Sequence, residues 1–282
     1  MDFYKSLMVG PGKKVNLDKI DPSDTLGIKK ADAEQLTLEN IQKLADLQDK
    51  LSAQAKHALL IVLQARDAAG KDSTIKHVMG GFNPQACMVH AFKVPSALEL
   101  SHDFLWRIHR NVPPAGMVGI FNRSHYEDVL VVRVHDLVPR ETWQERYEHI
   151  NAFEANLNDA NVHVLKFFLH ISKEEQLQRF GDRLNTPSKY WKLAMSDYTE
   201  RQHWDEYTQA YQDALSKCSK PQAPWFVIPA DYKWFRNLAV SSIVVKAMEQ
   251  MDLKYPKPTA DIDAIRQAYM HEVRAQKKGM KK

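Results

Sequence analysis

Ala58-Leu-Leu-Ile-Val-Leu-Gln-Ala-Arg-Asp-Ala-Ala-Gly-Lys-Asp-Ser-Thr-Ile-Lys76 is the stretch whose reading decides the fold. It opens with a continuous apolar run, Leu59 to Leu63, which reads as a strand buried on both faces of a parallel sheet. A tight turn, Ala65 to Gly70, follows. Lys71 then starts an amphipathic helix, with Ile75, Val78 and Met79 at helical spacing. Strand, turn, Gly-Lys and helix make a phosphate-binding loop. The free N–H groups of the turn and of the new helix converge on one point, and that point attracts an anion. Lys71 adds a full positive charge within reach of a terminal phosphate.

The loop departs from the usual pattern at two positions. Ala65 stands where the first Gly belongs, and Asp72 replaces the hydroxyl residue that normally holds Mg²⁺. Two carboxylates, Asp67 and Asp72, are therefore available nearby. A hard cation accepts carboxylate oxygens readily, so the metal is placed on Asp67. The plainer alternative is a strand–turn–helix with a turn glycine and a solvated Lys71.

Length and composition set the frame for this motif. A chain of 282 residues, 44% hydrophobic, is enough for one large α/β domain. No apolar run reaches membrane-spanning length, and Met1 to Lys5 does not read as a signal peptide. Cys87 and Cys218 lie far apart and suggest neither a disulfide framework nor a metal cluster, which suits a reducing cytosol. The net charge of +4 does not by itself argue for nucleic acid, but it permits basic surfaces aimed at a polyanion.

Outward from the loop, residues 1–35 read as an extended N-terminal arm, in which Lys13 and Lys14 either reach a phosphate chain or are solvated. Residues 34–57 read as an amphipathic helix through Leu36, Leu38, Ile41, Leu44, Leu47 and Leu51. Cys87 to Phe92 reads as a strand. Ser96 to Glu99 reads as a capping box opening a helix to about Arg110, with Asp103, Arg107 and Arg110 on one face as an anion site or an ion-pair stripe. Met117 to Phe121 is the next buried strand, and it ends in Asn122-Arg123-Ser-His-Tyr-Glu127-Asp128.

In phosphate-loop enzymes the strand beside the loop strand commonly ends in an acid that assists the metal. Asn122 takes that place here. Arg123 stands at the carboxyl end of the sheet, where a cation stabilises a transferring phosphoryl group. Glu127 and Asp128 either hold metal through water, contact a nucleotide, or favour a helix start.

Residues 141–159 read as a core helix and Val162 to Ile171 as a strand. Residues 172–216 read as a two-helix lid that opens with a capping box at Ser172 to Glu175 and carries Arg179, Arg183, Lys189 and Lys192. A last strand, Trp225 to Pro229, a helix over 233–251, and a C-terminal extension from 255 to 282 ending in a frayed lysine tail complete one domain.

At these residues the chain resembles the polyphosphate kinase 2 family over nearly its whole length. The matching stretches are Pro11 to Val15, Asp67 to Asp72, Asn83-Pro84, Ser96 to Arg110, Phe121 to Leu130 and Lys189 to Lys192. The Asn-Arg-Ser-His-Tyr-Glu-Asp form looks like the class III branch, which acts on both nucleoside mono- and diphosphates; other branches carry Asp at 122 and Asn at 127.

The resemblance implies a three-layer P-loop kinase-like α/β fold. It implies transfer of the terminal phosphoryl group of inorganic polyphosphate to AMP or ADP, making ADP and ATP, with Mg²⁺, for which Mn²⁺ substitutes. It also implies a homo-oligomer, a dimer or tetramer; with the cysteine usage and the absence of a membrane-length apolar run, the expectation is a cytoplasmic protein without nucleic-acid or membrane partners, other purine nucleotides being further candidate ligands.

Carried over by position, the resemblance implies that Asp67 holds the metal, Lys71 binds the transferring phosphate, Arg123 stabilises transition-state charge, Arg183 contributes from the lid, and Glu127 helps set acceptor choice. Ala68, Ala69, Gly70, Asp72, Asn122, Asp128, Arg179, Lys189 and Lys192 complete the nucleotide- and phosphate-binding set. Two rival readings stand beside this one: an ATP-dependent nucleoside monophosphate kinase of the same fold, and a non-enzymatic basic protein that binds polyanions.

Overall fold

A computed structural model describes residues 1–279. Among them, five strands form one parallel sheet: β1 (Ala58–Ala65), β2 (Cys87–Ala91), β3 (Val118–Asn122), β4 (Val162–His170) and β5 (Trp225–Pro229), in spatial order β2-β3-β1-β4-β5. The helices in chain order are α1 (Phe3–Leu7), α2 (Lys30–Gln54), α3 (Lys71–Val78), α4 (Ala97–Leu100), α5 (Trp106–His109), α6 (Val131–Val134), α7 (Arg140–Asp159), α8 (Lys173–Leu184), α9 (Met195–Gln202), α10 (Trp204–Cys218), α11 (Lys233–Glu249) and α12 (Ile262–Gly279).

The loop strand β1 is buried along its whole length, as its unbroken apolar run requires. Alternate side chains serve two cores. Leu59, Ile61 and Leu63 pack with α2 and α11, and Leu60 and Val62 pack with α7 and α10. Full burial of each such side chain contributes about 1.5–3 kcal/mol, so the two cores fix the sheet between its helical layers. The expected three-layer P-loop kinase-like α/β architecture is what forms.

Sheet order positions the functional residues. The chain crosses from β1 to one side for β3 and to the other for β4, which opens a crevice at the carboxyl end of β1. Leu63 pairs with Asn122 and Ala65 with Leu169, so the loop after β1 lies between the turn after β3 and helix α8 after β4. No helix among the described residues is long and apolar enough to cross a membrane.

Several elements differ from the sequence expectations. Helix α2 begins at Lys30, and its core face is Ala33, Leu44, Gln48 and Leu51; Leu36 and Leu38 are exposed. Residues 1–29 pack against the body: Phe3, Val9 and Leu17 are buried, and the backbone N–H groups of Val15 and Leu17 donate to Ser216 Oγ and Gln212 Oε1 on α10.

The helix expected from Ser96 to Arg110 is two short helices, α4 and α5. The Ser96–Glu99 box forms, but the Asp103 carboxylate takes the N–H of Leu105 and breaks the run. Arg107 is buried and donates to Lys93 O, while Arg110 lies over the Trp106 ring, so Asp103, Arg107 and Arg110 make neither an anion site nor an ion-pair stripe. Ser172 caps α8 through Glu175 N, but Glu175 turns to Arg179 instead of closing the box.

The segment after β4 contains α8, a 3₁₀ turn over Pro187–Lys192, α9 and α10, and the second half of α10 is core. Helix α12 reaches Gly279; the tail from Met280 lies outside the described residues.

Candidate active site

The loop Arg66–Gly70 leaves β1 and enters α3. Gly70 sits at φ +110°, and a Cβ there would lie 1.9 Å from Nη1 of Arg236. Only glycine allows the loop to close on this arginine. Ala68 and Arg123 also adopt left-handed backbone, at φ +60° and +63°. Non-glycine residues in this region cost about 1 kcal/mol or more and gather at functional sites.

Two buried guanidiniums form the floor of the loop. Arg236, fully buried, donates to Ala69 O and Ser73 Oγ, each at 3.1 Å. Burial, and then repulsion from Arg179, pushes its guanidinium down to about 9. Arg179 donates through Nε to Glu175 Oε1 at 2.7 Å and through Nη1 to Ala68 O and Ala69 O at 2.9 and 3.0 Å. Its Nη2 donates to Ala230 O and Asp231 O at 2.7 and 2.8 Å. All five N–H donors of Arg179 are thus occupied by protein. The sequence suggested a phosphate ligand at this position; the structure makes Arg179 a clamp that holds the loop carbonyls inward.

Above this floor the charged groups are paired and ready for exchange. Lys71 Nζ donates to Ala65 O at 2.9 Å; burial, and then the charge of Arg123, lowers its pKa. Arg123 Nη2 donates to Asp67 Oδ1 at 3.1 Å, and its Nη1 lies 3.8 Å from Glu127 Oε2. Asn122 Nδ2 donates to Asp72 Oδ1 at 2.8 Å. The loop acids therefore meet the two residues that end β3. Across the mouth, Arg183 Nη1 donates to Asp197 Oδ2 at 3.1 Å, and burial together with Asp67 raises the pKa of Asp197.

These groups line a cleft of about 840 Å³. Asp67, Ala68, Gly70, Lys71, Asp72, Asn122, Arg123, Arg179, Arg183, Lys189 and Lys192 all reach it. Ala69 is buried behind the loop. Besides the buried Arg179 and Arg236, seven Lys or Arg side chains line this cleft against four Asp, a surplus that suits a long polyanion.

Glu127 faces an adjoining recess of about 50 Å³ with Arg66, Trp204, Tyr207 and Tyr211, room for only a few waters. Arg66 stacks over Trp204 at 4.0 Å and donates to Trp204 O at 3.2 Å and Thr208 Oγ1 at 2.5 Å. Asp128 lines neither cavity. It is buried and accepts from Arg146 Nη1 at 2.9 Å, and burial pushes its carboxyl up to about 6. The sequence reading placed it in the nucleotide-binding set; in the fold it stands behind the cavity lining, tied to Arg146. Lys13 and Lys14 are exposed and line neither of these cavities.

The donor set fits a hard divalent cation. Asp67 and Asp72 supply carboxylate oxygens at the loop mouth, and Arg123 engages Oδ1 of Asp67. Among the described residues no three His, Cys, Asp or Glu side chains cluster as a complete metal cage. Mg²⁺ is commonly held by one or two carboxylates with substrate phosphates completing the shell.

Arg66, Arg236 and Lys166 escaped the sequence reading. A lysine inside the apolar run of β4 was the available signal, because a charge there needs a buried partner.

The protein-family model described as Polyphosphate kinase 2 matches residues 27–256. The chain is 49% identical over 264 residues to the AMP/ADP-polyphosphate phosphotransferase of Meiothermus ruber, spanning 93% of this chain and 98% of that one. It is 43% identical over 268 residues to the ADP-polyphosphate phosphotransferase of Rhodopseudomonas palustris, 90% and 93% of the two chains. The crystal structure of polyphosphate kinase 2 from Arthrobacter aurescens TC1 superposes with a TM-score of 0.93 at 42% identity, over 96% of this chain and 97% of that one.

Proposed function

The chain belongs to the polyphosphate kinase 2 family, and from that premise we propose that it transfers the terminal phosphoryl group of inorganic polyphosphate to AMP and ADP, reversibly. The observation that carries the reading is the cleft itself: besides the two buried arginines of its floor, seven cationic side chains run past the phosphate loop, more than one nucleotide triphosphate would need. Asp67 would hold Mg²⁺, or Mn²⁺ in its place, and the bound ion supplies charge neutralisation on the transferring group.

The chain's own groups do the rest. Backbone N–H groups of the loop and first turn of α3 cradle the terminal phosphate. Lys71, already at the loop, exchanges the Ala65 carbonyl for a phosphate oxygen. Arg123 neutralises charge that builds on the equatorial oxygens. An ionised oxygen of the acceptor phosphate attacks the terminal phosphorus, and the bridging P–O bond breaks. The shortened chain leaves with that bridging oxygen. The acceptor is already an anion, so the step needs positioning and charge rather than a strong base.

Within the segment 172–216, the stretch from the end of α8 through α9 acts as a lid, bringing Arg183, Lys189 and Lys192 over the chain and excluding water, while α10 stays anchored in the core. Glu127, beside Arg123, sets acceptor choice. The reading of a homo-oligomer, a dimer or tetramer, rests on the family resemblance, and that of a cytoplasmic protein on its two distant cysteines.

The test is product formation by purified protein with long-chain polyphosphate, with and without Mg²⁺, and AMP or ADP in separate tubes. ATP from ADP, and ADP then ATP from AMP, is the expected result. Activity with ATP as the only usable donor would replace this reading with an ordinary nucleotide kinase. Polyanion binding without turnover would replace it with a binding protein.

A further inference from the structure

Strand β4 carries a charge in the middle of the core. Lys166 is fully buried, and its three donors are all placed: on Tyr126 Oη at 2.9 Å, on Cys218 O at 2.7 Å and on Glu154 Oε2. Glu154, on α7, is 1% exposed. Its Oε1 accepts from Tyr126 Oη at 2.9 Å and lies 3.1 Å from His125 Nε2. Burial lowers the pKa of His125, whose Nε2 faces the Glu154 carboxylate and whose Nδ1 has no partner. Burial alone would raise the pKa of the Glu154 carboxyl, but Lys166 and His125 outweigh it and lower it.

This closed cluster grips two consecutive residues of the turn after β3. Side chains of that turn divide between two sides. His125 and Tyr126 point into the core, whereas Arg123 and Glu127 point into the cavities beside the phosphate loop. Ser124 adds a third tie, because its Oγ accepts from Gln64 Nε2 at 3.1 Å and from Tyr126 N at 3.2 Å. A buried ion pair is weak evidence of stability, since an apolar pair of similar volume often serves the core as well. What an apolar pair could not do is hold the Tyr126 hydroxyl and the His125 ring in one orientation.

We propose that Glu154 and Lys166 are positioning residues for phosphoryl transfer, which fix through Tyr126 and His125 the turn that aims Arg123 and Glu127. The inference rests on the function proposed above. Its logic is that misplacing a charge-stabilising group by about 1 Å costs on the order of 10²-fold in rate.

The experiment compares wild type, Tyr126→Phe and the double variant Glu154→Gln/Lys166→Met. Each is assayed with whichever phosphoryl donor the wild type turns over, so wild-type activity judges the function and the variant ratios judge the positioning. The double variant removes both charges together and is expected to melt within a few degrees of wild type. Its kcat is expected to fall about 10-fold or more, with the KM for the donor changed less than about twofold. Tyr126→Phe is expected to lose about 3–10-fold in kcat and to change the ratio of AMP to ADP turnover, because Glu127 follows it directly.

A double variant with wild-type kcat would overturn the proposal and leave the cluster as scaffold. So would a loss confined to KM. Should the double variant fail to fold, Tyr126→Phe decides alone: a kcat and acceptor ratio equal to wild type refute the positioning role.

Discussion

Replacing Arg179 by Met separates a loop clamp from a phosphate ligand. The arginine spends five donors on five protein acceptors, four of them backbone carbonyls of the phosphate loop and of residues 230–231. Methionine keeps much of the stem and none of the donors. Hydrogen bonds to a charged group are each worth about 1.5–3 kcal/mol, and they do not add fully because the carbonyls are tied to one another. Removing one partner of such a buried set costs about 3–5 kcal/mol. At about 2–4 °C per kcal/mol for a chain near this size, the melting temperature should drop by roughly 10 °C. The loop then loosens, and kcat falls with it. Polyphosphate itself loses no direct contact, so its KM at a temperature where both proteins are folded should stay within about twofold. Thermal melts and initial rates on the same preparations make the comparison. An unchanged melting temperature with a KM raised about tenfold would refute the clamp and return Arg179 to the substrate-binding set.

Three other outcomes follow from the same geometry. Gly70→Ala forces a Cβ to within 1.9 Å of Arg236 Nη1 at φ +110°, so turnover should fall about 100-fold while the protein remains folded; near-normal turnover would mean that Arg236 yields without moving the loop. Arg183→Ala leaves Asp197 unpaired at the cleft mouth and should lower kcat more than it weakens nucleotide binding; equal kcat would reduce the segment carrying it to scaffold. Asp128, raised from 3.8 to about 6 by burial against the pull of Arg146, holds its proton more tightly folded than unfolded between those values. Stability therefore falls as pH rises from about 4 to 6, by at most about 3 kcal/mol, and stays lower above that. Asp128→Asn should flatten this slope in urea titrations at pH 4, 5, 6 and 7; parallel curves for the two proteins would rule it out.

The parts of the fold that were legible in the sequence are those where one physical demand dominates. β1, β3 and β4 announce themselves as apolar runs because a strand covered on both faces has no polar side to show. Gly70-Lys71 announces the loop because left-handed backbone next to a helix start leaves few alternatives. Legibility ends where several demands compete. Leu36 and Leu38 share apolarity with the true face of α2 but point outward, since packing on α11 selects Ala33, Leu44 and Leu51. The stretch from Ser96 to Arg110 has helical spacing throughout, yet a single Asp103 side chain competes for backbone and divides it. In the site, Asp67, Lys71, Asp72 and Arg123 could be found because they are adjacent in sequence to the loop or to the end of β3. Arg236 and Arg66 could not be placed, because their partners lie on elements remote in sequence.

The stacking of Arg66 on Trp204 has an optical consequence. The Trp204 ring is fixed to the phosphate loop by that cation and stands at the start of α10, a helix anchored in the core. Trp191, in the 3₁₀ turn before α9, is 77% exposed at the rim of the cleft. Of these two indoles, Trp204 is half-buried and Trp191 exposed. Emission from Trp191 should shift to the blue when a polyanion draws its turn out of water, and Trp191→Phe should remove that shift from the summed signal of the six tryptophans.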